Sequence, residues 1–145
     1  MIKIRYGVFE TNSSSVHSLI LCSDEEYKAF EKHQLYYNHW EHYFMTYEEV
    51  HKRIVDLYNN NNEWFIAYWN EFIDEEGTED ISPSIEAFDA LSLEQKEYFI
   101  HHALEGEIAS PQDIFENEYL YSFNDIYVTK SGEIIHAFGH YGNEY

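Results

Sequence analysis

The chain has 145 residues, with 28 Asp and Glu against 8 Lys and Arg and a formal net charge of −20. So few cations cannot replace the counterions condensed on a nucleic-acid backbone, which argues against phosphate-mediated binding to DNA, RNA or anionic membranes, and an apolar share of 44% argues against disorder. The single cysteine excludes an internal disulfide, and without a signal-peptide pattern or an 18-residue apolar window a soluble cytoplasmic protein is expected.

The length predicts one domain over residues 1–145. The opening "MIKIRYGVF" alternates Ile2, Ile4, Tyr6 and Val8 with Lys3, Arg5 and Gly7, the period of a half-buried strand. "VHSLILC" is short and β-rich, a second strand. The intervening "ETNSSS" reads as a hairpin or bulged connection. Ser23 with Glu26 is a capping box that opens a helix over about 24–33, and Thr46 with Glu49 opens another running to about Tyr58. Between them "HQLYYNHWEHYFM" is aromatic and irregular. After the breaker "NNNN" (59–62), "EWFIAYWNEFIDEE" predicts a third helix. Trp64, Phe65, Tyr68, Trp69 and Phe72 form its wide apolar face, and Gly77 follows its end. "SPSIEAFDALS" predicts a short helix, and "SLEQKEYFIHHALEG" a longer one from Ser92 to Gly106. Two β-rich runs joined by "KSG" close the chain as a hairpin. The expected class is α+β: an antiparallel sheet built from N-terminal and C-terminal β-hairpins, with a helical middle packed on one face.

Charge is unevenly distributed. From Ile54 to Gln95 there are eleven acidic residues and no basic one. Glu63, Glu71, Asp74, Glu75, Glu76, Glu79, Asp80 and Glu86 form the candidate partner-binding set. A field of one sign over such a length suits a cation or a basic partner. Carboxylates in a row also imitate the charge spacing of nucleic acid, about one per 1.7 Å of duplex axis, and abundant tyrosines suit an interface.

Other constellations carry weaker chemistry. Ser13, Ser14 or Ser15 with His17 could line a small-molecule or nucleotide pocket or act in nucleophilic catalysis, but no G-x-S-x-G elbow or glycine-rich oxyanion loop accompanies them. Zinc could use His17, Cys22, His136 and His140, in which case the protein is a metal-stabilised structural or regulatory module. His17 and Cys22 lie five apart on one predicted strand and need a bulge to share a face. His136 and His140 share a face about 13 Å apart, and across a four-stranded sheet His17 and His136 become neighbours. "HWEH" (His39, His42) and the adjacent His101 and His102 are further pairs.

The stretch "IRYGVFETNSSSVHSLILC" resembles the opening of a group of small proteins from phages and mobile elements of Gram-positive bacteria, and "SGEIIHAFGHYG" resembles their closing hairpin. Together these matches cover about a quarter of the chain. The resemblance implies a phage accessory protein acting in the bacterial host's cytoplasm. With small size and acidity, it suggests a counter-defence factor, an anti-CRISPR inhibitor of a type II effector nuclease and not an enzyme. In that reading "ETNSSS" is a structural connection pinned by its Asn and Ser side chains.

Overall fold

The computed structural model describes residues 2–6, 16–76, 81–116 and 121–141, with side chains over 19–73, 81–116 and 121–140. In chain order the elements are β1 (Ile2–Tyr6), β2 (Val16–Ser23), α1 (Asp24–Glu31), β3 (Leu35–Asn38), β4 (Tyr43–Thr46), α2 (Tyr47–Asn60), α3 (Asn62–Glu76), α4 (Ile85–Asp89), α5 (Leu93–Ala103), β5 (Ile108–Ala109), α6 (Pro111–Phe115), β6 (Tyr121–Val128) and β7 (Ile134–Tyr141). The class is α+β. These elements gather into two compact units, Met1–Leu35 with Ser110–Tyr145, and Tyr36–Ala109.

The first unit is built on a four-stranded sheet of order β1-β6-β7-β2. The C-terminal hairpin is as expected: β6 and β7 run antiparallel from Val128↔Ile134 to Tyr121↔Tyr141. The expected N-terminal hairpin is not there. β1 pairs parallel with β6, from Ile2↔Asn124 to Tyr6↔Val128, while β2 pairs antiparallel with β7 at the far edge. Two strands, β6 and β7, stand between β1 and β2. α1 and α6 pack on the sheet. Phe138 opposes Ile20 in register, both are fully buried, and the rings of Tyr27, Phe30 and Phe115 close over Phe138.

Local chemistry explains the ends of α1. Ser23 accepts from the Glu26 backbone N–H and Glu26 returns a carboxylate to Ser23 N–H, the expected capping box. At the other end His33 takes φ 61°. Its N–H donates to Phe30 O while Gln34 N–H donates to Ala29 O, a Schellman closure on a non-glycine residue.

The second unit holds α2–α5 and a three-stranded sheet of order β4-β3-β5. Its core gathers Tyr36, Met45, Val50, Ile54, Phe65, Trp69, Phe72, Phe88, Phe99, Ile100 and Ile108. The apolar face expected on α3 is narrower than the sequence pattern: Phe65, Trp69 and Phe72 are buried, but Trp64 is 36% exposed. A capping box at Thr46/Glu49 opens α2 as expected; α5 opens at Ser92 as expected, through a further box with Gln95, and another at Ser110/Asp113, with Pro111 in the first turn, opens α6 of the first unit.

Candidate functional site

Of the eight candidate partner-binding residues, Glu63, Glu71 and Glu86 have described side chains, and all three are exposed. Glu63 and Glu71 lie eight residues apart on α3, about 12 Å along its axis. Glu86 stands in the first turn of α4. Asp74, Glu75 and Glu76 are the last three residues of α3, and nothing further is described of their side chains. Glu79 and Asp80 lie outside the described residues.

The position of that acidic run on its helix is energetically unfavourable. A helix C-terminus carries about half a negative charge from its unpaired carbonyls and prefers Lys or Arg, each worth roughly 0.3–1 kcal/mol. The last turn of α3 has no basic residue, and neither do the last turns of α2 and α4. The sequence therefore adds carboxylates where the backbone is already negative, and in Ile54–Gln95 it supplies no Lys or Arg to offset them.

The candidate zinc residues are arranged differently from the sequence expectation. Cys22 opposes His136 in the β2–β7 register. His17 sits at the register irregularity between Val16 and Ser18, which face Tyr141 and His140. His17 and His136 are therefore at different ends of the strand pair, contrary to the expected adjacency. The His17 side chain, like Ser13, Ser14 and Ser15, is outside the described residues. His136 is 4% exposed, and its Nε2 meets Asp24 Oδ1 at 2.8 Å. An ionised carboxylate only accepts, so Nε2 carries the proton and Nδ1 is left as a buried nitrogen without a partner. Tyr27 stacks flat on this ring at 4.0 Å. His140 Nε2 donates to Ile114 O. Burial, then the charges of Glu26 and Asp24, push the Cys22 thiol up to about 12, so at neutral pH it is protonated. Among the described residues, no group of three or more His, Cys, Asp or Glu side chains converges as a metal site.

The other histidine pairs take structural positions. His39 N–H donates to Glu107 O, and His42 adopts φ 60° while closing the β3–β4 turn on Asn38 O. His101 Nδ1 lies 3.3 Å from Ile108 O.

Sequence reading missed a polar network in the second unit. Asn38, at the end of β3, is fully buried. Its Oδ1 accepts from the backbone N–H groups of Trp40 (3.0 Å) and Glu41 (2.9 Å), and its Nδ2 donates to Glu107 Oε2 at 2.7 Å. Arg53 on α2 closes the system with a bidentate fork to Glu107, 2.9 and 2.6 Å. The Arg53 fork first, then the Asn38 amide, holds the Glu107 carboxyl below its ordinary value against the opposing effect of burial. No sequence signal marks this network, because Asn38, Arg53 and Glu107 stand far apart in the chain with no shared spacing.

No family model, curated protein or solved structure matches the chain.

Proposed function

We propose that this chain is a non-enzymatic, phage-type counter-defence inhibitor, an anti-CRISPR protein acting in the cytoplasm of a bacterial host. It binds a basic nucleic-acid-handling nuclease, a type II CRISPR effector, through the acidic tract around α3 and blocks DNA loading. The carrying observation is the acidic end of α3: Asp74, Glu75 and Glu76 close the helix at its negative pole with no basic residue in the last turn. Such an arrangement costs stability in the free protein and is compensated when a cationic groove covers it. Exposed Glu63 and Glu71 add negative charge along α3, and exposed Glu86 stands in the first turn of α4. Residues 4–22 and 131–142 carry the resemblance to phage and mobile-element proteins.

The test is affinity for a purified type II effector nuclease as a function of salt. Kd is expected to rise at least tenfold between low and high ionic strength, and the triple variant Asp74→Lys, Glu75→Lys, Glu76→Lys to lose binding while remaining folded. A Kd indifferent to salt removes the electrostatic mechanism.

A further inference from the structure

Trp40 and Trp64 line an open cleft of about 400 Å³ in the second unit, together with Arg53, Leu57, Glu105 and Glu107. The chain has three tryptophans. Trp69 is fully buried, whereas Trp40 is 59% and Trp64 36% exposed. Indole is costly to leave in water, since an aromatic ring can bury roughly 150–250 Å². Both exposed rings are nevertheless attached to well-held positions. Trp64 Nε1–H donates to Ala103 O at 3.2 Å, and its ring meets Tyr68 edge-on at 4.9 Å. The backbone at Trp40 is pinned by buried Asn38, which is itself held by Glu107. Aromatic anchors fixed in advance lose little entropy on binding, which is the character of interface hot spots.

Charge selects the occupant. The one cation among the described residues lining the cleft, Arg53, is already forked onto Glu107, so an anion would have to break that bidentate pair. Glu105 is exposed at the cleft. With Arg53 and Glu107 cancelling, the remaining formal charge is negative beside two indole faces. A planar cation suits that combination, because guanidinium stacks on indole and forks onto carboxylate at once.

We infer that the Trp40–Trp64 cleft receives an arginine side chain projecting from a basic protein partner. This rests on the reading that the partner is basic, and adds a shape-specific anchor to a diffuse electrostatic one. Glu105 supplies the carboxylate and the indoles supply the stacking faces. A lysine fits less well, since its ammonium cannot stack.

The test needs no knowledge of the partner. The protein gives three indole N–H signals in a ¹H–¹⁵N spectrum, assigned with Trp40→Phe and Trp64→Phe, and is titrated with N-acetyl-arginine amide. The Trp40 and Trp64 signals are expected to move together with a Kd of about 1–10 mM, and the Trp69 signal to stay. N-acetyl-lysine amide should bind at least threefold more weakly. Trp40→Ala should raise the arginine Kd about tenfold, and Glu105→Gly about three- to fivefold, a variant that keeps the fold if the alanine does not. No movement of either exposed indole at about 50 mM arginine amide, or equal movement of Trp69, overturns the inference. So does an unchanged Kd in both variants. An unaltered arginine titration in the Asp74, Glu75, Glu76 charge-reversed protein is expected, and separates this cleft from the acidic tract: loss of nuclease binding there with the titration intact places the failure in one site only.

Discussion

In the helical unit the buried side chains of Asn38 and Glu107 satisfy each other and meet Arg53, and Tyr36 donates to buried Glu97 at 2.9 Å. In the sheet unit the polar atoms under α1 are less well matched. Asn124 Nδ2 donates to Tyr27 OH, but Asn124 Oδ1 and His136 Nδ1 are buried without partners. Each such orphan costs about 1–3 kcal/mol. The contrast shows what each unit's polar interior does. A fully connected network in low dielectric is rigid, and in the helical unit it holds the Trp40 turn at the surface. The Tyr27–His136–Asn124 group in the sheet unit reaches the surface through His136 Nε2, which meets the partly exposed Asp24 carboxylate at 2.8 Å.

The hydrophobic interiors differ in the same direction, and truncating the central ring of each is the most forceful way to expose it. Phe99 is packed among Phe65, Trp69, Phe72 and Phe88. Phe138 meets Tyr27, Phe30 and Phe115 on one face of a strand. Phe99→Ala should cost about 4–5 kcal/mol and Phe138→Ala about 3–4 kcal/mol, read from urea midpoints at constant m. A larger loss for Phe138→Ala would reverse the ranking of the two interiors.

The polar contrast is sharpened by Glu107→Gln. The amide keeps the shape and loses the charge that Arg53 and Asn38 recognise, so the expected cost at pH 7 is about 2–3 kcal/mol. Because Arg53 and Asn38 hold the Glu107 carboxyl below its ordinary value, its contribution is fully present above the unfolded carboxylate pKa, about 4.3. It is lost as pH falls through the lower folded value. The stability difference between native protein and variant should therefore be flat from pH 7 to about pH 5 and narrow below about pH 4. A difference that widens with acid contradicts the network. Asp24 in the sheet unit is displaced in the same sense, first by Lys28 and then by His136, so acid weakens both units.

Much of the scaffold was legible because it is encoded locally. Capping boxes at Ser23, Thr46 and Ser92 mark helix starts within four residues of sequence, and the β6–β7 hairpin is a local pairing. β1 was legible as a strand but not in its pairing, since Lys3, Arg5 and their apolar neighbours specify a face and not a partner. β3 was hidden because Tyr36, Tyr37 and Asn38 are all buried, which erases the alternation that reveals a half-exposed strand. The cleft was invisible for a related reason. Trp64 falls on the apolar period of α3 yet remains at the surface, and Asn38, Arg53 and Glu107 are brought together from positions with no shared spacing. Cys22 and His136 were proposed together from residue type, and strand register alone makes them opposite one another.

The smallest effect lies where the cleft meets the backbone. α5 ends with Leu104 as its cap, and Glu105 follows at φ 54° in the left-handed region. Its N–H donates to His102 O while Gly106 N–H donates to His101 O, a closure that glycine adopts without strain. A residue with a Cβ pays roughly 1 kcal/mol in this conformation. Glycine at 105 removes that strain but gives the unfolded chain more freedom, which returns part of the gain. Glu105→Gly should therefore stabilise the protein by only about 0.3–0.8 kcal/mol, a rise in Tm of about 1–4 °C. The same substitution deletes the carboxylate at the mouth of the cleft. A protein that becomes more stable while binding arginine amide less well would identify Glu105 as retained for recognition against the preference of its own backbone. A loss of stability would instead mean that the carboxylate supports the fold.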